Sequence, residues 1–285
     1  MNLPLLIASG IRITTPILLA AMGGVFNQQV GLMNIGLEGL MLLSAFSAAV
    51  VGFRTQNIIL GIFSAILTGI IFALLHVFFV IKLKANLIIV GIALDLLAVG
   101  LSGYFLQIIF GVKGIFSSPR IPRLSPLIRI GIMSEFDILV YMSWFFVLLT
   151  AIILYKTRYG LRMRACGENL EAAFSLGIKV DFYRYTSYII SGILCGLAGS
   201  YLVFTLQIFS KNITAGRGFI AFASVLFGSA NPLLTSVACL IFGFAESLQI
   251  RFQSFVELPP QIIQMLPYLA VVIALALKNL RSEGV

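Results

Sequence analysis

The sequence predicts an all-α membrane protein, a polytopic bundle of eight or nine transmembrane helices that forms one domain over residues 1–285. Apolar residues make up 60% of the chain and charged residues 10%, whereas a soluble domain carries about 25% charged residues. The apolar residues lie in long runs, and about 20 such residues span the hydrocarbon core of a bilayer. Because no folded soluble module remains, we expect lipid around the chain and no nucleic-acid partner.

Eight apolar runs have the length of membrane-spanning helices. We expect helices at residues 3–25, 36–53, 57–81, 86–110, 137–155, 185–209, 231–250 and 259–278. A ninth run, residues 218–229, is too short for an ordinary span, so it is either a short crossing or a re-entrant segment that protein shields from lipid. The connection 111–136 contains three prolines and is expected to be irregular or briefly helical, whereas 251–258 is expected to be a short loop.

Residues that carry enzymatic chemistry are not grouped in this sequence. The N-terminal apolar run has no basic segment before it and contains Arg12, so we expect no cleaved signal peptide. Three scattered cysteines indicate neither a disulfide framework nor a metal site. The single histidine, His76, has no nucleophile or carboxylate at a readable spacing, and no phosphate-binding loop is present. We therefore expect no enzymatic activity, no metal and no cofactor in this chain.

Small residues recur at four-residue spacing in two of the runs. They are Gly61, Ala65, Gly69 and Ala73 in the third run, and Gly192, Gly196 and Ser200 in the sixth. Such faces allow two helix backbones to approach closely within a membrane. They either pack the bundle internally or form a contact between subunits.

Charge is concentrated in one segment, residues 156–184, which holds nine of the chain's 29 charged side chains. Asn169 is suited to cap a helix over Leu170–Leu176, and Gly177 is suited to end it. The period of 3.6 residues places Leu170, Ala173, Phe174 and Gly177 on one face. So short a helix needs support from packing. It is either a connector that lies on its own bundle or a projection that docks into a soluble partner.

The motif Glu171-Ala172-Ala173, followed by Gly177, resembles the cytoplasmic loop of ATP-binding cassette (ABC) importer permeases. In that family the loop forms a coupling helix, which sits in a cleft of the ATPase subunit. Further signatures in the same order resemble the permease family for branched-chain amino acids, ribose and nucleosides, and are nearest to its nucleoside branch. They are VGLMNIGLEGLM at 30–41, IVGIALDLLAVGL at 89–101, TRYGLRMRACGEN at 157–169, GRGFIAFASVLFG at 216–228, NPL at 231–233 and FGFAESLQIRFQ at 242–253.

This resemblance implies a permease domain of the cobalamin-type (type II) importer fold, with residues 156–184 as a cytoplasmic coupling loop. The implied ATPase contacts are Glu168, Asn169, Leu170, Glu171, Ala172, Ala173, Phe174 and Gly177. The implied partners are a separate ATPase, which binds ATP and Mg²⁺, a second and different permease, and a substrate-binding lipoprotein or periplasmic protein. The chain is then a multi-pass protein of the bacterial plasma (inner) membrane. Because ATP is cytoplasmic, its N-terminus lies outside and its C-terminus inside, an orientation that the nearly even loop charges do not decide.

Polar and aromatic side chains within the runs are candidates for the substrate pathway. They are Asn34, Glu38, Asp95, Gln107, Phe219, Phe222, Glu246 and Gln249. A charge such as Asp95 is costly at mid-membrane and should face protein or water. Asp95 therefore either binds solute, or it is protonated or bonded to a neighbouring helix. Glu38 has a structural alternative, a bond in the first turn of a helix that Asn34 caps. Glu246 has another, an ion pair with a basic group such as Arg12.

The sequence departs from the family pattern at two places. Asn27-Gln28 replaces a charged pair in a cytoplasmic turn, and Asp95 replaces a common Asn, which puts an acid at mid-membrane. The expected function is the permease subunit of an ABC importer, with nucleosides as the expected solute. A ribose-type sugar or a branched-chain amino acid is an alternative solute, and a stand-alone ion-coupled transporter that uses Asp95 and Glu246 is an alternative mechanism.

Overall fold

A computed structural model describes residues 3–126 and 134–252. Ten helices and two short strands follow one another in these two ranges. They are α1 (Leu3–Gln29), α2 (Leu37–Thr55), α3 (Ile58–Ile81), α4 (Leu87–Phe110), β1 (Ile115–Ser117), α5 (Ile138–Lys156), α6 (Arg158–Glu168), α7 (Leu170–Ser175), α8 (Val180–Leu206), β2 (Ile208–Ser210), α9 (Arg217–Phe227) and α10 (Pro232–Phe252).

Seven helices in the described part of the chain, α1 to α5, α8 and α10, are long and apolar enough to cross a membrane. Their faces away from the core carry apolar side chains such as Ile59, Ile89 and Phe145, which are 76%, 67% and 59% exposed. Such exposure suits contact with lipid. The bundle is thus the predicted all-α membrane fold. The run predicted at 259–278 and residues 253–258 of the predicted loop lie outside the described residues.

The spanning helices alternate in direction between two ends of the bundle. We call these the α7 end, where α6 and α7 lie, and the sheet end, where β1 pairs with β2 in antiparallel register. Helix α1 runs antiparallel to α8, because the Tyr201 hydroxyl donates to the carbonyl of Arg12 at 3.1 Å and Gly23 lies against Ser191. Helix α1 therefore begins at the sheet end, and α8 begins at the α7 end.

The two small-residue faces pack against each other inside the chain. A methyl group on Gly69 of α3 would lie 2.2 Å from the carbonyl oxygen of Gly192 on α8, and one on Gly196 would lie 2.7 Å from Cα of Ile66. Contacts this close leave no room for a side chain, so the glycines set the separation of α3 and α8. Of the two interpretations of this spacing, internal packing is confirmed.

The short run contains α9, which crosses only part of the bundle. The chain leaves α8 at the sheet end and forms β2 there. After α9, the carbonyl of Ala230 accepts a bond from Gln29 Nε2 at 2.9 Å, at the α7 end of α1. The segment therefore crosses rather than returning to the side it came from. Residues 211–216, which precede α9, are not helical.

Two of the predicted elements differ in detail from those in the structure. The described part of the connection 111–136 contains a strand, Ile115–Ser117, and no helix longer than a turn. The sixth predicted helix begins five residues early, at Val180, and does not reach residue 209. Gln207 caps α8 with a left-handed φ of 55°, and Ile208–Ser210 then pairs with β1. A partner distant in sequence decides this boundary, so local apolarity did not reveal it.

Candidate functional site

A cavity with a volume of about 680 Å³ lies between α2, α4, α9, α10 and residues 211–216. Asp95 is the ninth residue of α4, which begins at Leu87 at the α7 end. A rise of 1.5 Å per residue places it about 12 Å from that end. The cavity thus lies near the middle of a hydrocarbon core about 30 Å thick.

Glu38 of α2 joins the cavity wall to the start of α9. Its Oε1 accepts from the backbone N–H of Gly216 at 2.9 Å, and its Oε2 accepts from that of Gly218 at 2.6 Å. Helix α9 has no cap from the residue that precedes it, so a carboxylate from another helix satisfies its first N–H groups. A negative charge is also favourable at the positive end of a helix. The predicted bond within α2 itself is therefore replaced by a bond between helices.

Asp95 of α4 holds α4 against the start of α2. Its Oδ1 accepts from the backbone N–H of Gly39 at 2.7 Å. A methyl group on Gly39 would lie 2.8 Å from that oxygen, so glycine is required for the contact. Oδ2 is buried and has no hydrogen-bond partner among the described residues. The bond to Gly39 supports the interpretation that Asp95 bonds to a neighbouring helix. Its position at the cavity supports the interpretation that it binds solute.

Glu246 of α10 forms an ion pair with Arg217, the first residue of α9, and Oε1 lies 2.5 Å from Nη2. The predicted partner Arg12 is instead 3.1 Å from Glu135 at the sheet end. Arg217 also donates to the carbonyl of Ile213 at 3.3 Å. The cavity wall thus has its own charge pair, and α9 is held from both sides, by α2 and by α10.

Five of the predicted pathway residues border this cavity: Glu38, Asp95, Phe219, Glu246 and Gln249. The other three do not. Gln107 is exposed on α4, and Phe222 packs against the core. Asn34 is buried and donates to Ser191 Oγ at 3.4 Å. It does not cap α2, because Gly36 precedes that helix without a side-chain bond; this prediction was wrong.

Sequence reasoning missed the contribution of residues 211–216 and of Arg217. Lys211, Asn212, Thr214 and Arg217 all border the cavity. The segment takes left-handed backbone angles at Ala215 (φ 48°) and Gly216 (φ 80°). A polar run directly before a helix too short to span is the signal that was available, because irregular backbone at membrane depth occurs where it borders a cavity or protein.

The charged segment 156–184 folds into α6, α7 and the first residues of α8. Asn169 Oδ1 accepts from the backbone N–H of Ala172 at 3.0 Å and caps α7. Gly177 follows in the left-handed region with φ 74°. Its N–H donates to the carbonyl of Phe174, and that of Ile178 to the carbonyl of Ala173, the double bond pattern of a Schellman motif. The cap and the end of this helix lie where the sequence predicted them.

The apolar side chains of α7 do not share one environment. Ala173 is 2% exposed and faces the bundle, whereas Phe174 is 75% and Leu176 78% exposed. The predicted stripe of Leu170, Ala173, Phe174 and Gly177 is therefore divided, because Ala173 alone points inward. Glu168, Asn169, Glu171 and Ala172 are also exposed. The result is a small projection with an apolar tip and a charged surround.

Helix α6 was not predicted as a separate element, and it forms the base of this projection. Thr157 caps it by accepting from the N–H of Gly160 at 3.1 Å. A methyl group on Gly167 would lie 2.4 Å from the carbonyl oxygen of Gln29, so α6 rests directly on the end of α1. The Tyr159 hydroxyl donates to Thr186 Oγ1 at 2.5 Å, and burial raises the pKa of the Tyr159 phenol above its ordinary value. No cluster of metal-ligating side chains occurs in the parts of the chain that the structure describes.

A bundle of spanning helices, with a central cavity and a projecting helix at one end, defines a membrane transport subunit. The model of a family described as the permease component of the branched-chain amino acid transport system matches residues 6–275. The chain belongs to this family, and it is a multi-pass protein of the plasma membrane.

Similar proteins agree with this assignment. The nucleoside ABC transporter permease protein NupC of Lactococcus lactis is 33% identical over 97% of this chain and 92% of its own length. The guanosine ABC transporter permease protein NupQ of Bacillus subtilis is 32% identical over 96% of this chain and 91% of its own. A solved structure, an inward-facing conformation of a transporter assigned to the metal-chelate type of ABC transporters, has a TM-score of 0.55 at 18% identity. It covers 92% of this chain and 86% of its own, and at this identity the likeness concerns the fold alone.

Proposed function

We propose that this chain is the nucleoside-conducting permease subunit of an ATP-driven importer. The substrate class rests on the two relatives, which match nearly the full length of both chains and whose names specify nucleosides and guanosine. The chemistry of the cavity supports it: Phe219 is 43% exposed beside the cavity and offers an aromatic face for a base. Gln249 supplies both donors and acceptors.

The observation that carries the ATP-driven mechanism is the geometry of α7. A six-residue helix is unstable by itself, yet here caps at both ends and the buried Ala173 hold it, while Phe174 and Leu176 project. Apolar side chains on a rigid projection suit a groove on a soluble partner. The partner is the ATPase subunit, which binds ATP and Mg²⁺. Movement of its groove would shift α7 and α6, and α6 contacts the end of α1.

The orientation follows from this partner. Because the ATPase is cytoplasmic, the α7 end faces the cytoplasm and the sheet end faces outward, where a substrate-binding lipoprotein or periplasmic protein delivers the solute. Helix α1 then begins outside. With the further crossing that the sequence predicts at 259–278, the C-terminus is cytoplasmic.

A second permease subunit would cover the open side of the cavity. Lys211 and Asn212 are exposed in the single chain, although they lie between the sheet end and the middle of the bundle. Charged and polar side chains at this depth are costly in contact with lipid. A second, different permease placed here would complete the pathway, of which this chain forms half.

The test is uptake of labelled guanosine, adenosine and uridine by proteoliposomes that contain the assembled transporter with its binding protein. We expect uptake that requires ATP and that unlabelled nucleosides inhibit, whereas ribose and leucine do not. ATP-dependent uptake of ribose or leucine without nucleoside uptake would reject the substrate class. Uptake driven by an ion gradient in the absence of the ATPase would reject the mechanism.

A further inference from the structure

Three atoms of charged side chains at the central cavity are buried and lack a hydrogen-bond partner among the described residues: Asp95 Oδ2, Glu246 Oε2 and Arg217 Nε. All three side chains border the same cavity. A buried polar atom without a partner is costly, and one that belongs to a charged group is more so. Native structures rarely keep several such atoms together unless a ligand or water meets them.

The side chains that carry these three atoms differ in their other interactions. Glu246 and Arg217 are already paired with each other, so part of the charge of each is compensated. Glu38, the third carboxylate at the cavity, uses both oxygens on the N–H groups of α9. Asp95 has no cationic partner within hydrogen-bond distance in the described structure, and its only hydrogen bond there comes from the N–H of Gly39. Of the three carboxylates, Asp95 therefore has the greatest need of a donor from outside the chain.

We propose that Asp95 determines which solutes the cavity accepts, because its second carboxylate oxygen requires a hydrogen-bond donor on an uncharged solute. The proposal rests on the proposed function and adds the solute chemistry that is selected. At the cavity, Glu38 and Glu246 balance Lys211 and Arg217 in charge. The cavity therefore offers no surplus positive charge to an anionic solute such as a nucleotide, whereas a neutral nucleoside needs none.

The solute has two sources for the required donor. One is the base: guanine and hypoxanthine carry an N–H at ring position 1, where adenine carries an acceptor. The other is the sugar, since a carboxylate is a common acceptor for ribose hydroxyl groups. Gly39 fixes the first oxygen in either case, so the second oxygen is held in one place and is suited to distinguish a donor from an acceptor.

Asp95→Asn is the decisive change. The carbonyl oxygen of the introduced amide keeps the bond to the N–H of Gly39. The NH₂ group of the amide replaces the second carboxylate oxygen, so a donor stands where there was an acceptor. Wild-type and variant transporters are reconstituted with the same binding protein, so any change in relative uptake arises in the permease. The probes are guanosine, inosine, adenosine, 2′-deoxyguanosine and 3′-deoxyguanosine. Glu135→Gln is the matched control, because it removes an acid at the sheet end, away from the cavity.

If the base supplies the donor, the variant loses guanosine and inosine uptake by about tenfold or more relative to adenosine, since each 1.4 kcal/mol is a factor of ten. If a ribose hydroxyl group supplies it, the variant loses uptake of all the ribonucleosides by a similar factor. The reference for this loss is the deoxynucleoside that lacks that hydroxyl group. The control should keep the wild-type ratios. Unchanged ratios in Asp95→Asn, or an equal loss for all five probes, would overturn the proposal.

Co-purification of the subunits shows whether the variant assembles. If it does not, Asp95→Ser replaces it and is judged by the same ratios, because its smaller side chain avoids crowding Gly39. Failure of the proposed function has a different result: the wild-type transporter would take up none of the five nucleosides.

Discussion

Glu38 on α2 accepts a hydrogen bond from the backbone N–H of Gly218, in the first turn of α9, over 2.6 Å. The approach depends on the missing side chain, because a methyl group on Gly218 would lie 2.5 Å from both N and Cα of Glu38. One carboxylate thus caps a helix that lies 180 residues further along the chain. It makes the position of α9, and so the shape of the cavity, dependent on α2.

Replacement of Glu38 should loosen α9. We expect Glu38→Ala to lower stability by about 2 kcal/mol, since hydrogen bonds to a charged group contribute about 1.5–3 kcal/mol. Glu38→Gln keeps one acceptor, so its stability should lie between that of Glu38→Ala and that of the wild type. Thermal unfolding of the purified transporter gives the order, and Glu171→Ala on the exposed surface of α7 serves as control. Equal midpoints for Glu38→Ala and the control would argue against capping.

The Arg217–Glu246 pair predicts a non-additive mutant cycle. Both side chains are largely buried, at 14% and 12% exposure. Removal of one partner leaves an uncompensated charge and should destabilise the protein by about 3 kcal/mol. The double variant Arg217→Met, Glu246→Met should lose less stability than either single variant. Additive losses, measured by unfolding of the assembled transporter, would contradict a direct pairing.

Gly167 should tolerate no side chain, because α6 lies against the end of α1. A methyl group there would meet the carbonyl oxygen of Gln29 at 2.4 Å and Gly31 N at 3.0 Å. We expect Gly167→Ala to displace the base of the projection and to reduce transport strongly. Gly177→Ala is the comparison: nothing lies within 4 Å, and only its φ of 74° is strained, at about 1 kcal/mol. Limited proteolysis of the 156–184 segment should show greater cleavage in Gly167→Ala than in Gly177→Ala.

The projecting side chains of α7 should matter for coupling and not for folding. Phe174→Ala and Leu176→Ser remove exposed apolar surface, so unfolding midpoints should change little, because surface substitutions usually fall within about 0.5 kcal/mol. Solute-stimulated ATP hydrolysis should fall at least several-fold. Ala173→Asp, which buries a charge, should instead reduce the amount of folded protein. Normal stimulation in the first two variants would reject α7 as the ATPase contact.

Local features were predictable from the sequence, and long-range ones were not. Asn169 and Gly177 were assigned correctly because a cap and a left-handed terminus involve only neighbouring residues. The side of α7 that faces the bundle depends on α6 and α8, so the sequence period alone misplaced Phe174. Apolar runs located the spanning helices of the described part of the chain to within about five residues at each end.

The cavity depends on contacts between distant residues. The pairing of Glu246 with Arg217 rather than Arg12 requires knowledge of which helices adjoin, since 29 residues separate the pair. The bonds from Glu38 to α9 and from Asp95 to Gly39 connect helices in the same way. Candidate side chains could be chosen by their chemistry at mid-membrane, but their common cavity emerges only from the fold.

The exposed side chains of Lys211 and Asn212 also bear on how the cell makes this protein. On the proposed arrangement, a subunit produced in excess of its permease partner would present these polar side chains to acyl chains and draw water or headgroups inward around them. Such a defect would expose the orphan chain to removal, because cellular proteases act on incompletely folded protein. Balanced synthesis of the two permeases would then be a requirement for the abundance of each, and deletion of the partner should shorten the lifetime of this chain as well as abolish its transport.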